Sequence, residues 1–205
     1  MYADAGAKPS TAKQAWAADV VLKINMATAK EVANLKKGAL LISLTQGADA
    51  DKIATAIAKQ GAGQISLERI PRTSRAQAMD VLSSQANIAG YRAVLEATQH
   101  YGRFMPLMMT AAGSAKPARV AILGAGVAGL QAIATAKRLG AVVEAYDVRP
   151  EVAEQIESLG AKFMDLGLEV DGSGEGGYAK ELSADAKKKQ QQALQDKLAT
   201  FDIVI

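Results

Sequence analysis

The stretch RVAILGAGVAGLQAIATAKRLGAVVEAYD, residues 119–147, decides the fold. Val120 to Leu123 is short and wholly apolar, which predicts a buried strand. Gly124-Ala125-Gly126-Val127-Ala128-Gly129 predicts a tight turn, and Leu130 to Leu139 a helix closed by Gly140. Ala141 to Tyr146 reads as the next strand and ends at Asp147. Each glycine has its own reason: Gly124 for the tight turn, Gly126 for close approach of a pyrophosphate to backbone, Gly129 for packing of helix against strand. The helix start offers free amides and the positive end of a dipole to phosphates. A carboxylate at Asp147 suits the two hydroxyls of an adenosine ribose, and its charge disfavours a 2′-phosphate. The unit is therefore expected to bind the ADP half of a dinucleotide, NAD(H) in preference to NADP(H). Arg149 opposes that preference, because a guanidinium can accommodate the phosphate.

Beyond this unit, Glu151 to Ser158 predicts a helix capped by Gly160, and Lys162-Phe163-Met164 a third strand. Residues 171–178, DGSGEGGY, are half glycine and predict a flap that needs a partner to hold one conformation. A polar helix over Ala184 to Leu198 leads to a core strand at Asp202 to Ile205. Before the unit, Val20 to Ile24, Ala39 to Leu44 and Gln64 to Leu67 read as strands, with helices over Thr28 to Lys36 and Asp49 to Gln60. That is a βαβαβ pattern without glycine fingerprint. Ile70 to Arg75 must be irregular around Pro71. From Ala76 the apolar spacing is helical towards His100, with Gly90 as a weak point, and Ala112 to Pro117 predicts a loop. The expected class is α/β: two Rossmann-like domains with parallel sheets joined by a long helix, divided as 1–108 and 109–205. Both domains look incomplete, as expected of a fragment.

The 205 residues, 49% of them hydrophobic, can bury a real core, and no apolar run approaches the ~20 residues of a membrane span. Residues 1–13 lack the pattern of a signal peptide, so this piece is expected to be soluble and intracellular. The absence of cysteine excludes a disulfide framework, a thiolate nucleophile and a Cys-ligated zinc, and His100 alone cannot make a histidine-rich metal site. With those ligands lacking no metal is expected, and because the net charge of +3 is scattered, nucleic acid is not expected as a partner. Lys187-Lys188-Lys189 reads as the solvated face of a helix. Arg72, Arg75, Gln77, Asp80 and Ser83 form a dense polar cluster in which the last three share a face of the expected helix, either facing a cleft or as ordinary surface charge.

Three strings carry a family resemblance: residues 71–94, PRTSRAQAMDVLSSQANIAGYRAV; residues 109–113, MTAAG; and residues 124–141, GAGVAGLQAIATAKRLGA. They resemble the NAD(H)-binding α subunit of the proton-translocating nicotinamide nucleotide transhydrogenases, a family that shares its two-domain plan with alanine dehydrogenase. The likeness runs from Ala18 to the end and includes Gly176-Gly177-Tyr178-Ala179-Lys180-Glu181, similar to a family loop that closes over nucleotide. The resemblance implies that Arg72, Thr73, Ser74 and Arg75, with Gln77, Asp80 and Ser83, hold the nicotinamide and its ribose. It places Val127 at the glycine turn, Asp147, Val148 and Arg149 at the adenosine ribose, Gly177 and Tyr178 in the flap, and Gln190 on the helix after it. Arg72, Gln77, Asp80, Ser83 and Tyr178 would be the residues closest to the reaction. The implied activity is hydride transfer from NADH to NADP⁺ held on a partner component, coupled to proton translocation by a membrane-spanning component. A homodimer at the cytoplasmic face of a bacterial inner membrane is implied with it.

Alanine dehydrogenase is the nearest rival, and it needs a substrate lysine and a catalytic histidine. Lys23 stands where that lysine would be, but Thr45 stands in place of the histidine, so the substrate oxygen lacks its acid. A non-catalytic NAD-binding module is the second rival, since it would use the same residues.

Overall fold

The computed structural model describes residues 2–167 and 184–205, the side chains of 184–186 excepted. Its residues fall into two compact units, 1–82 and 83–205.

In the first unit, a short helix α1 (Ala12–Trp16) starts at Thr11, whose side chain and that of Gln14 cap each other's backbone amides. Strands β1 (Val20–Leu22), β2 (Leu40–Ser43) and β3 (Gly63–Ser66) pair in parallel in the order β1-β2-β3, with Val21 opposite Leu41 and Leu41 opposite Gln64. Helix α2 (Ala29–Val32) connects the first two strands behind a Thr28–Glu31 capping box, and α3 (Ala50–Lys59) connects the second and third. Val21 and Leu41 pack with Val32, Leu35, Ile53 and Ile57 on one face. On the other face of the sheet Val20, Leu22 and Ile65 are exposed. Helix α2 is a single turn where the sequence suggested nine residues, because the chain turns away at Ala33 and reverses at Gly38, φ +82°.

The segment from Ile70 departs most from the sequence reading. Residues Ser74–Met79 form a 3₁₀ helix, and Asp80, with ψ 86°, breaks it before α4 (Val81–His100) begins. Gln77, Asp80 and Ser83 therefore do not share one helix face. Helix α4 beyond Leu82 belongs to the second unit and buries Val94 in its core. By compactness, the chain thus divides at Leu82 and Ser83. Gly90 does not interrupt α4: a Cβ there would overlap the carbonyl oxygen of Ala128, so glycine permits a backbone contact that compensates its poor helix propensity.

After α4 the chain forms an antiparallel hairpin, β4 (Met108–Thr110) with β5 (Gly113–Ala115), where the sequence suggested only a loop. Gly113, at φ +140°, closes the turn. The main sheet then has the order β8-β7-β6-β9, all parallel, from β6 (Arg119–Leu123), β7 (Val142–Tyr146), β8 (Lys162–Phe163) and β9 (Ile203–Val204). Helix α5 (Val127–Arg138) crosses from β6 to β7 and buries Ala132, Ile133 and Ala136, the three- and four-residue spacing of one face. Helix α6 (Ala153–Ser158) follows a 3₁₀ turn over Pro150–Val152 and buries Ile156 beside Val143 and Val120. Helix α7 (Ala184–Leu198) brings Leu194 and Leu198 with Phe201 against Ala121, Tyr146 and Met164. Glu144, buried in β7, meets Arg119 at 3.3 Å and Lys197 at 3.8 Å, tying α7 to the sheet. This is the α/β class with parallel sheets that the sequence indicated.

If the Gly90 contact sets the approach of α4 to α5, Gly90→Ala lowers unfolding stability by about 1–3 kcal/mol, the cost of overpacking. Gly102→Ala, where a Cβ meets nothing within 4 Å, stays within about 0.5 kcal/mol of wild type in the same denaturant titration.

Candidate functional site

The strand order reverses at β6: the chain runs outward through β7 and β8, then returns to the other edge at β9. Crevices at the carboxyl ends of such strands are where doubly wound sheets take ligands. Gly124 follows β6 at φ +99°, and its amide donates to the Tyr146 carbonyl at 2.7 Å, fastening the turn to the end of β7. A Cβ on Gly129 would overlap the Gly124 carbonyl oxygen, so the first helical turn can close only over glycine. A Cβ on Gly126 would meet nothing within 4 Å; it would project into open space. Gly126 is extended and precedes Val127, the first residue of α5, so the free amides of that helix start face the same opening. A cavity of about 500 Å³ lies there, lined among others by Gly90, Gly124, Gly126, Val127, Ala128 and Ile205. Small residues, a helix N-terminus and space next to them can accept a pyrophosphate.

Asp147 follows β7 and is 8% exposed. Its Oδ2 accepts the Ala125 amide at 2.7 Å, and its Oδ1 accepts the Arg149 amide at 2.9 Å. Arg149 also places Nε 2.9 Å from Oδ1 and Nη2 3.0 Å from Oδ2, a two-toothed pair. Burial raises the carboxyl's pKa, but the guanidinium and the two amides outweigh it and hold it below the ordinary value. A second cavity, about 300 Å³, opens beside it between Tyr146, Asp147, Val148, Pro150, Phe163 and Leu166. Gln190 of α7 donates to the Tyr146 hydroxyl at 2.9 Å, so it stands next to this strand end rather than out on the surface.

Of the remaining expected residues that the structure describes, all but Ser83 lie in the first unit. Arg72, Thr73, Ser74 and Arg75 are exposed before and at the start of the 3₁₀ turn, and Gln77 is exposed within it. Arg72 Nε lies 3.6 Å from Asp80 Oδ2, which is half-buried. Ser83 sits in the first turn of α4, at the start of the second unit. Gly177 and Tyr178 lie outside the described residues. Two residues of the site escape sequence reasoning: Tyr146, whose carbonyl holds the glycine turn and whose hydroxyl holds Gln190, and Ala125, which acts through its amide. Their only signal is position: one directly precedes the acidic residue and the other sits inside the glycine turn.

Of the two positions that would serve an alanine dehydrogenase, one keeps a lysine and the other holds a threonine. Lys23 Nζ bonds Glu31 at 2.6 Å and lies 5.6 Å from the Trp16 ring. The bond from Lys23, with that from the Thr28 amide, holds the Glu31 carboxyl below its ordinary range. Thr45 is buried, its amide donating to Glu68 at 3.0 Å and its hydroxyl accepting from Gln64 at 2.5 Å.

Comparison with known proteins bears on the family and the fold. Residues 1–89 match the family described as alanine dehydrogenase/PNT, N-terminal domain, and residues 93–205 its C-terminal domain. The chain is 47% identical over 208 aligned positions to NAD(P) transhydrogenase subunit alpha of Cereibacter sphaeroides, covering all of this chain and 40% of that protein. It is 40% identical to NAD(P) transhydrogenase subunit alpha of Haemophilus influenzae, again over all of this chain and 40% of that one. The solved transhydrogenase of Sinorhizobium meliloti superposes with a TM-score of 0.77 at 50% identity, over 81% of this chain and 50% of that one. An L-alanine dehydrogenase superposes less well, with a TM-score of 0.67 at 27% identity over 81% of this chain and 48% of that one. The chain spans half or less of the length of each of these relatives. With both of its halves matched in order, the chain belongs to the alanine dehydrogenase/PNT family, and its relatives within that family include the NAD(P) transhydrogenase alpha subunits.

Proposed function

We propose that this chain is the NAD(H)-binding part of a proton-translocating NAD(P) transhydrogenase. The observation that carries the reading is the joint of Asp147, Ala125 and Gly124, which places a carboxylate and an open glycine turn at the end of one sheet. The bound nucleotide would supply a hydride to NADP⁺ held on a partner component, and a membrane-spanning component would couple that transfer to proton movement. The chain's own task is placement. Gly124, Gly126, Gly129 and the amides at Val127 take the pyrophosphate, while Asp147 takes the adenosine ribose, with Val148, Arg149 and Gln190 standing at it. Arg72 to Arg75, Gln77, Asp80 and Ser83 orient the nicotinamide and its ribose, and Gly177 and Tyr178 close over it. Hydride transfer moves no proton at the reacting carbon, so the residues named need no imidazole or thiol among them.

In this reading the protein works as a homodimer at the cytoplasmic face of a bacterial inner membrane, within a complex. Among the described residues no helix is long and apolar enough to cross a membrane. Amino-acid oxidation is disfavoured by the residues at its own site: Thr45 supplies no acid of suitable pKa, and Lys23 is engaged by Glu31. A module that only binds NAD is separated from an enzyme by one assay, hydride exchange with an added NADP(H)-binding component; binding without exchange removes the catalytic reading.

Asp147→Asn is expected to weaken NADH binding about tenfold and to relax rejection of NADPH, measured as paired dissociation constants. Equal affinities before and after would remove the ribose assignment. Gly126→Ala should leave the melting temperature unchanged, because its Cβ meets nothing, yet weaken NADH binding by on the order of tenfold or more, because the methyl occupies the pyrophosphate's approach. Tyr178→Gly is expected to slow hydride transfer more than it weakens NADH binding in single-turnover kinetics; the reverse pattern makes Tyr178 a binding residue.

A further inference from the structure

The Asp147 carboxylate is fully subscribed by the protein. Oδ2 accepts from the Ala125 amide and from Arg149 Nη2; Oδ1 accepts from the Arg149 amide and from Arg149 Nε. A carboxylate offers about four lone-pair directions, so these donors use them all. Two ribose hydroxyls can bond to the same carboxylate only where donors give way. The amides of Ala125 and Arg149 are backbone, the first held inside the glycine turn that Gly124 fastens to Tyr146. The guanidinium is the part on rotatable bonds.

We propose that Arg149 is a displaceable cap on Asp147, competing with the adenosine ribose for the carboxylate and thereby narrowing the preference between nucleotides with and without a 2′-phosphate. The proposal rests on the nucleotide reading of the site. A ribose with both hydroxyls free must break the two-toothed pair to reach Asp147, so Arg149 lowers its affinity. A 2′-phosphate is repelled by Asp147 but attracted by the guanidinium it displaces, so Arg149 raises the affinity of the phosphorylated ribose. The two residues act in opposite directions on the same choice. A residue that merely contacts the nucleotide would lower affinity for NADH when removed; a competing cap does the reverse.

The test is equilibrium titration of the intact protein with NADH, ADP-ribose, NADPH and nicotinamide mononucleotide, for wild type, Arg149→Ala and Arg149→Lys. Arg149→Ala is expected to tighten NADH and ADP-ribose by the same factor, about 3–10, the size suited to one charge-assisted pair given up in exchange for the ribose. NADPH should weaken and the mononucleotide, which lacks the adenosine, should not change. Arg149→Lys keeps a point charge without the fork and should lie between wild type and alanine. NADH affinity that is unchanged or weaker in Arg149→Ala overturns the cap. If that variant does not fold, as read by its thermal melt, the sign of the change in Arg149→Lys decides in the same way. Wild type that binds neither NADH nor ADP-ribose overturns the nucleotide reading itself, whereas wild type that binds both without tightening in the variants overturns the cap alone.

Discussion

Two places where backbone touches backbone govern the second unit. Gly129 lies under the carbonyl of Gly124, and Gly90 lies under the carbonyl of Ala128; a single methyl at either position forbids the arrangement. The first contact closes the turn between β6 and α5, and the second brings α4 against the start of α5. Together they leave the amides at Val127 facing a cavity lined largely by glycine and alanine. The cavity is a consequence of close packing on its walls. Glycine at these sites costs helix propensity, and the core residues Val94, Ile122 and Ile133 beside them offset that cost by burial.

Fastening the turn is a separate problem, and polar groups solve it. The Tyr146 carbonyl takes the Gly124 amide, and the next residue's carboxylate takes the Ala125 amide, so consecutive residues at the end of β7 hold consecutive residues of the turn. A buried carboxylate left alone would be costly, but Asp147 accepts enough donors to remain ionised in spite of burial. The same residue that the ribose would use is therefore also a structural brace. The Tyr146 side chain extends the brace to α7 through Gln190, so the sheet end, the turn and the last helix share one hydrogen-bonded joint.

How much of this is legible in the sequence depends on whether local forces set the outcome. The elements of the second unit fall within a few residues of where apolar period and glycine spacing put them, because β6, α5 and β7 obey patterns that hold within one segment. The hairpin at β4 and β5 escapes notice because such short strands carry too little alternation to be seen. Gly90 reads as a weak point because its partner, Ala128, lies far along the chain and leaves no local trace. The shared helix face of Gln77, Asp80 and Ser83 fails for a related reason: apolar spacing from Ala76 is helical throughout, but Asp80 takes ψ 86° where the 3₁₀ turn gives way to α4. Arg149 can be seen to stand near the ribose position. That its fork closes on Asp147 depends on the geometry of the turn.

The first unit narrows the chemistry by what its polar groups are already doing. At the carboxyl end of its sheet, Thr45 joins β2 to β3 through Gln64 and to the following turn through Glu68. A hydroxyl in that place is a brace; with a pKa far above neutrality it cannot serve as a general acid for a substrate oxygen. Lys23, the cation that could bind a small carboxylate there, is bonded to Glu31 and lies by Trp16. Of the two groups that amino-acid oxidation would need, one is replaced and the other engaged, while the second unit keeps the glycine turn, the helix start and the carboxylate that suit a dinucleotide. A reaction that asks only for two rings to be held at the right distance and angle is compatible with this division, since it places its demands on backbone geometry and on one carboxylate, both of which are held by hydrogen bonds at the end of β7.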